Sequence, residues 1–339
     1  MPRSRLRRDA MFAALPAPAW GGPAAVLDPR GDVAARAAEL TWLLTWGALV
    51  IFVITLGLLA VALWGPARLR RGLGRRTLVI AGGVVFPVTV LTALLAYTLG
   101  PGWRGGGAEA RVHIEVTGEM WWWRVRYTDA TGRLLFETAN DIRIPVGQPV
   151  RFTLRSADVI HSFWVPQLAG KLDMVPGRAT TLHLRAEAAG TYAGVCAEFC
   201  GAQHARMRFS VAALPPDDYA AWALGQAAPA RAPSTARLRA GQALFERHCM
   251  ACHAIRGARS GARSDGRSAA AGGVLDGPDL THVASRPTLG AGLLPNNIGT
   301  LAGWIAASQQ LKPGNRMPSF DRLDSDALLA LAAYLDSLE

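Results

Sequence analysis

The chain has 339 residues, with 36 lysines and arginines against 25 acids and four cysteines. That length suggests two or three domains. The formal charge of +11 would suit nucleic acid if it formed a stripe, but residues 65–77, "GPARLRRGLGRRT", hold five arginines and no acid, and the other 31 basic residues are mixed with the 25 acidic ones. Without a basic stripe interleaved with aromatics, the charge is a local feature and argues against nucleic-acid binding.

Residues 1–40 read as a leader. Arg3, Arg5, Arg7 and Arg8 precede a mildly apolar stretch, "AMFAALPAPAWGGPAAVL", broken by prolines. It fits a weak cleavable signal or a disordered leader equally well. Two uncharged runs of 24 residues follow, at 41–64 and 77–100. About 20 apolar residues span a bilayer core as a helix, so residues 41–100 read as a transmembrane hairpin. Pro87 in the second run is tolerable inside a membrane helix. Trp42, Trp46, Trp64 and Tyr97 lie near the run ends, where an aromatic belt forms. The arginine-rich loop between the runs stays in the cytoplasm, so both termini and everything after residue 100 face outward.

Residues 101–215 read as one outer domain. A glycine-rich hinge, "GPGWRGGGAEA", leads into alternating strand-like segments: "RVHIEV", "WWWRVRY", "IRIPVGQPVRFTLRS" and "TTLHLRA". Turn residues ("DATG", "PVGQP", "VPGR", "EAAG") punctuate them. Short strands without long helices predict a β-sandwich or Greek-key barrel. Between a strand ending near Val195 and another at Arg208–Ala213 lies "CAEFCGAQHARM", residues 196–207. A blue-copper site needs one cysteine, two histidines and a weak axial methionine. A zinc site has no use for the methionine, and a disulfide would need the cysteines alone. His204 and Met207 lie in the loop; a second histidine must come from His113, His161 or His183. His113 and His183 sit inside strands, whereas His161, in "DVIHSFWVP", lies at a strand end where a site forms. Two thiolates can bridge two copper ions, with His161 and His204 supplying one nitrogen each and Met207 an axial sulfur. A backbone carbonyl of the loop would supply the other axial position.

Residues 216–236, rich in alanine and proline, read as a linker, and 237–339 as a third domain. Leu238, Leu244 and Phe245 sit at helical spacing and run into Cys249-Met-Ala-Cys252-His253. C-x-x-C-H is the covalent haem c attachment signature, with His253 on the iron. A sixth ligand is expected from Met317, 64 residues on in "KPGNRMPSF" and just before a final helix, "SDALLALAAYLDSL". Met250 is too close to reach around the haem, and His282 is the competing ligand. Residues 256–273, "RGARSGARSDGRSAAAGG", read as a flexible excursion.

The motif C-x-E-x-C-G-x-x-H-x-x-M, the hairpin, the tryptophan run, "HSFWVP" and "VPGR" together resemble subunit II of haem–copper cytochrome c oxidases, over about residues 40–215. "GPDLTH" and the placing of Met317 resemble class I cytochromes c, and the fusion of the two resembles subunit II of caa3-type oxidases. The resemblance implies a multidomain fold: transmembrane helix hairpin, cupredoxin-like β-sandwich, then an all-α class I cytochrome c domain. It implies a binuclear copper site, CuA, held by His161, Cys196, Glu198 through its carbonyl, Cys200, His204 and Met207. The Glu198 side chain would also help to hold magnesium against subunit I, and Trp121 or Trp122 would be the electron entry to copper. Trp123 is expected in the core. Glu119 and Met120 replace the pair usual in that aromatic patch, and "RRTLVIAGGVVF" lacks the glutamate that often opens a proton path. The implied function is electron transfer through a covalent haem c (Cys249, Cys252, His253, Met317) to CuA and on to subunit I. There oxygen is reduced to water with proton translocation. Subunit III would complete the partners in the bacterial inner membrane, and the donor would be a cytochrome c or a quinol–cytochrome c reductase. This chain has no catalytic oxygen site of its own. The alternative is a membrane-tethered haem c and copper shuttle without a permanent oxidase partner. A nitrous-oxide reductase would need a histidine-rich propeller that the sequence lacks.

Overall fold

The structure, a computed structural model, describes residues 26–100, 109–257 and 276–339. The leader reading up to residue 25, the hinge at 101–108 and most of the predicted excursion lie outside the described residues.

Two long apolar helices come first. Helix α1 spans Asp32–Trp64, and after the short arginine-rich α2 (Ala67–Leu73) helix α3 spans Arg76–Thr98. Both are long and apolar enough to cross a membrane, and neither apolar window is buried inside the protein. Within α3 the backbone widens to a π-turn at Ala81–Val85, just before Pro87. Proline lacks the amide hydrogen and its ring crowds the carbonyl four residues back, which explains why the widening falls there. Helix α1 begins nine residues before the uncharged run. Its extra turns carry Asp32, Arg36 and Glu39, and its entry is sewn to the sandwich described next. The Arg30 amide donates to the Gln167 carbonyl at 2.7 Å, and Glu187 N to Arg30 O at 2.8 Å. At the same end, the Tyr97 hydroxyl of α3 lies 3.3 Å from the Glu39 carboxylate of α1. The end of the helix pair that carries Asp32 and Tyr97 is therefore joined to the domain that follows it.

That domain is a sandwich of two five-stranded sheets. The strands are β1 (Val112–Glu119), β2 (Trp122–Thr128), β3 (Leu134–Ala139), β4 (Asp141–Pro145), β5 (Val150–Ser156), β6 (His161–Trp164), β7 (Leu172–Met174), β8 (Thr180–Leu184), β9 (Gly190–Cys196) and β10 (Arg208–Leu214). One sheet has the order β3-β2-β1-β5-β8, the other β4-β10-β9-β6-β7. The predicted segment at 142–156 breaks at its "PVGQP" turn, and its halves β4 and β5 belong to different sheets. Each then pairs in parallel with a strand distant in sequence, β4 with β10 and β5 with β1. The core between the sheets is aromatic. The fully buried Trp123 ring meets Phe163 at 5.9 Å and Phe209 at 5.0 Å between centroids.

The segment read as a linker opens with a helix, α4 (Pro216–Ala227). Its Trp222 packs edge-on against Tyr127 at 5.4 Å and Phe136 at 5.5 Å. This aromatic anchor outweighs the surrounding alanine and proline, so the chain is held against the sandwich here.

The last domain is built on α5 (Ala236–His248), α6 (Ile298–Leu311) and α7 (Ser325–Asp336). Each helix starts at a side-chain cap, from Thr235, Asn297 and Asp324 respectively. Buried Phe245, Leu301, Ile305, Leu331 and Tyr334 form its core. Helices α5 and α7 touch backbone to backbone at Gly241, where an added Cβ would lie 2.2 Å from the Ala330 carbonyl oxygen. Gly241→Ala should therefore force the helices apart and destabilise this domain by about 1–3 kcal/mol, the usual cost of overpacking. Thermal unfolding of the variant should show a lowered Tm for this domain.

Candidate metal centre

The donor-bearing loop joins β9 to β10 at one end of the sandwich. Strand β9 ends at Cys196, so its sulfur is fixed by the sheet; the 3₁₀ turn His204–Arg206 brings the second half of the loop back over the first. Cys196 and Cys200 are buried and free, with sulfurs 3.8 Å apart. His161, wholly buried at the start of β6, presents Nδ1 to the Cys196 sulfur at 3.8 Å. His204 Nδ1 lies 3.5 Å from the Cys200 sulfur, and the buried Met207 sulfur 3.8 Å from it. The Glu198 carbonyl oxygen is 3.2 Å from the Cys196 sulfur. All six expected donors converge, each sulfur flanked by one imidazole and one weaker donor. Among them, the ligand atoms of His161, Cys196 and Cys200 lie within 4.8 Å of one another. His113 and His183 stay in the other sheet, on β1 and β8.

Two features of this centre were not legible in the motif. The first is Asp158, whose carboxylate accepts from His161 Nε2 at 2.8 Å and from the Met120 amide at 2.7 Å. Holding the proton on Nε2 leaves Nδ1 bare toward the sulfurs, as a metal ligand requires. Burial works to lower the His161 pKa, but the Asp158 and Cys196 hydrogen bonds outweigh it and raise it to about 8, so near neutral pH a metal ion must displace a second proton from Nδ1. The second is the β1 residue Gly118, where a Cβ would collide with the His161 ring at 2.7 Å. The thiols are unequal. The hydrogen bond between the two sulfurs, with help from His161, pulls the Cys196 thiol down against the effect of burial and pushes the Cys200 thiol up. A buried pair in which one thiol is the more easily deprotonated is suited to a cation.

The tryptophans divide as expected in one respect. Trp123 is core. Trp121 is buried, and its indole Nε1 donates to the Cys200 carbonyl at 2.8 Å. Trp122 is half-buried under the Arg124 guanidinium, 4.7 Å from its ring centre. Both Trp121 and Trp122 also line a large cavity in the last domain. Cys249, Cys252, His253 and Met317 line that same cavity.

The cavity fits a haem by its own chemistry. His253 Nδ1 donates to the Pro278 carbonyl at 2.8 Å, which leaves Nε2 as the ligand nitrogen, and burial lowers its pKa and so favours the neutral ring. The wall is chiefly apolar; the buried Arg286 there donates through Nη2 to the Asp279 carbonyl, and its Nε has no hydrogen-bond partner among the described residues, which leaves one donor for a polar group in the cavity. The Met317 backbone is fixed by Ser308 Oγ at 2.8 Å and Gln309 Nε2 at 2.7 Å, both donating to its carbonyl. His282 does not compete, since its ring nitrogens face the Glu339 and Ala228 carbonyls at 2.7 and 3.0 Å and it does not line the cavity.

Comparison with known proteins agrees with this division. Residues 112–214 match the family "Cytochrome C oxidase subunit II, periplasmic domain", and residues 238–339 match the family "Cytochrome c". Cytochrome c oxidase subunit 2 of Alkalihalophilus pseudofirmus is 39% identical over 229 residues, which cover 67% of this chain and 61% of that one. Subunit 2 of Bacillus subtilis is 29% identical over 264 residues, covering 76% and 70%. The chain thus spans about three fifths of the first relative's length. A solved periplasmic domain of subunit II from the cytochrome oxidase of Bradyrhizobium japonicum is 28% identical and covers 35% of this chain and 95% of that one, with a TM-score of 0.33. In class, the chain is a cupredoxin-like sandwich joined to an all-α cytochrome c domain behind two apolar helices. It carries a domain of the cytochrome c oxidase subunit II family and a domain of the cytochrome c family in one chain, and the curated relatives it resembles are cytochrome c oxidase subunits 2. The two families imply copper and haem.

Asp158→Asn should weaken copper binding by about 10- to 100-fold, as loss of an orienting partner does. A copper titration against a competing chelator would measure it, and the two cysteines should remain free thiols in the metal-free variant.

Proposed function

We propose that this chain is the electron-transfer subunit of a membrane-bound terminal cytochrome c oxidase. Its haem c domain receives electrons, its CuA site takes them next, and a haem–copper subunit I receives them last. Oxygen reduction to water and proton translocation belong to that partner, with subunit III completing the complex. One observation carries the reading: Trp121 donates to the backbone of Cys200 and lines the cavity that holds Cys249, Cys252, His253 and Met317. A single indole thus touches both candidate redox sites.

Copper in such a site supplies a one-electron couple spread over two bridged ions. The chain's own residues set its surroundings. Cys196, Cys200, His161, His204, Met207 and the Glu198 carbonyl would hold the copper. Cys249 and Cys252 would hold the haem by thioether bonds, and His253 and Met317 would be the side chains offered to its iron. Burial of both cysteines, His161 and Met207 keeps water from the centre, so little has to reorganise when charge arrives. His204 is half-buried beside Phe199, which is 75% exposed with its ring 5.8 Å from the imidazole. This apolar tip beside a ligand supports docking of subunit I on that side. The exposed Glu198 carboxylate, 3.3 Å from Lys171 and near Asp173, is the candidate for a shared magnesium ion. The exposed apolar helices α1 and α3 support insertion in the bacterial inner membrane, with the two redox domains on the periplasmic side. A cytochrome c or an upstream quinol–cytochrome c reductase would be the donor.

Purification from membranes in mild detergent tests the partnership. The chain should come out with a large polytopic haem protein, and the complex should consume oxygen when reduced cytochrome c is supplied. A chain recovered alone, with full copper and haem, would instead make it a tethered shuttle.

A further inference from the structure

Lys312 directly follows α6 and is 2% exposed. Its ammonium donates to three carbonyls: Trp121 O at 2.7 Å, Gly290 O at 2.8 Å and Arg206 O at 2.9 Å. An ammonium has three donors, and here each has one acceptor. Gly290 belongs to the cytochrome c domain. Trp121 and Arg206 belong to the sandwich, the first against Cys200 and the second between His204 and Met207. The rest of the segment follows the same surface. Arg206 reaches the Leu311 carbonyl at 3.0 Å and Gln203 the Pro313 carbonyl at 2.9 Å. A methyl group on Gly314 would touch the Trp121 ring at 3.5 Å, and Arg316 lies 3.8 Å from Asp158. The next residue is Met317. The loop that carries the sixth haem ligand is therefore bonded to the loop that carries the copper ligands.

Burial of this charge is costly. It pushes the Lys312 pKa down to about 7, with the Arg206 charge adding to the effect and Cys200 opposing it. An apolar side chain of the same length would fill the space without that cost. What it would lack is direction: three hydrogen bonds from one nitrogen fix the two domains in a single register.

We propose that Lys312 is a positioning residue for electron transfer, locking the methionine loop of the cytochrome c domain onto Trp121 and the copper loop. This inference rests on the functional reading above. The step it serves moves one electron: haem iron goes from ferrous to ferric, the oxidised copper pair gains that electron, and no bond or proton changes hands. Two consequences follow. The separation of the two centres is constant and needs no docking search. The Trp121 face is also occupied by the chain's own cytochrome c domain, so an external donor must deliver to the haem and not to the copper.

The test uses the full chain in detergent, comparing wild type with Lys312→Met and Lys312→Gln. In the loaded protein, a light pulse with a photoreductant places one electron on the haem, and its reoxidation is followed optically. Lys312→Met should slow that transfer by about tenfold or more and make it depend on solvent viscosity. The haem spectrum, the copper EPR signal and both potentials should stay as in wild type. In the metal-free chain, hydrogen exchange should show lost protection at residues 201–208 and 311–316, whereas α5 and α7 stay protected. Lys312→Gln, which keeps part of the hydrogen bonding, should fall between and serves if the methionine variant does not fold. Unchanged transfer together with unchanged protection in a folded variant would overturn the proposal. A wild-type chain that takes up no copper would overturn the functional reading, while the exchange experiment would still decide whether Lys312 locks the domains.

Discussion

Two buried sulfurs that face each other at 3.8 Å without bonding constrain everything around them. Each sits in a place closed to water, and each needs a counter-charge once its proton leaves. The hydrogen bonds that Cys196 makes with Cys200 and His161 lower its pKa and so favour its thiolate. The fold answers by placing one imidazole beside each sulfur and a carbonyl or thioether behind. Sheet geometry makes this possible. Cys196 ends β9, which pairs with β6, and that pairing brings His161 to the same end of the sandwich. The loop has only to return His204 and Met207, and a twelve-residue span with one short turn does so.

The second domain depends on the first through the same loop. The indole of Trp121 takes the Cys200 carbonyl, and the Trp121 carbonyl takes Lys312. The backbone at one edge of the cysteine loop thus becomes part of the wall of the cavity that holds Cys249, Cys252, His253 and Met317. Few residues are needed to join the two candidate sites in this way, because these two hydrogen bonds are made to main-chain atoms of the sandwich.

What the sequence disclosed is what is local in it. The donor motif at 196–207, the haem attachment at 249–253 and the uncharged runs each lie within a short window, and their chemistry follows from residue type and spacing. His161 was legible because it stands at the end of a recognisable strand. Other features depend on distant partners. Asp158 is three residues from His161, but its role shows only when the imidazole turns toward it. The parallel pairings of β4 and β5 come from a crossing between sheets that an alternating pattern does not reveal. Helix α4 was hidden by its alanines and prolines, and only the packing of Trp222 against Tyr127 and Phe136 explains it. Lys312 is one of 36 basic residues in the chain, and nothing near it in sequence distinguishes it.

The pair of apolar helices fits the same arrangement. Its first helix enters from a turn hydrogen-bonded to the sandwich at Gln167 and Glu187, so the sandwich has a defined relation to that end of the pair. The arginine-rich turn lies at the opposite end.

The paired copper site is the central claim, and metal analysis with EPR of the oxidised full chain tests it most directly. The account predicts two coppers for each haem and a hyperfine pattern from one unpaired electron shared equally by both. A single-copper spectrum, or a copper-free chain with Cys196 and Cys200 joined as a disulfide, would contradict it.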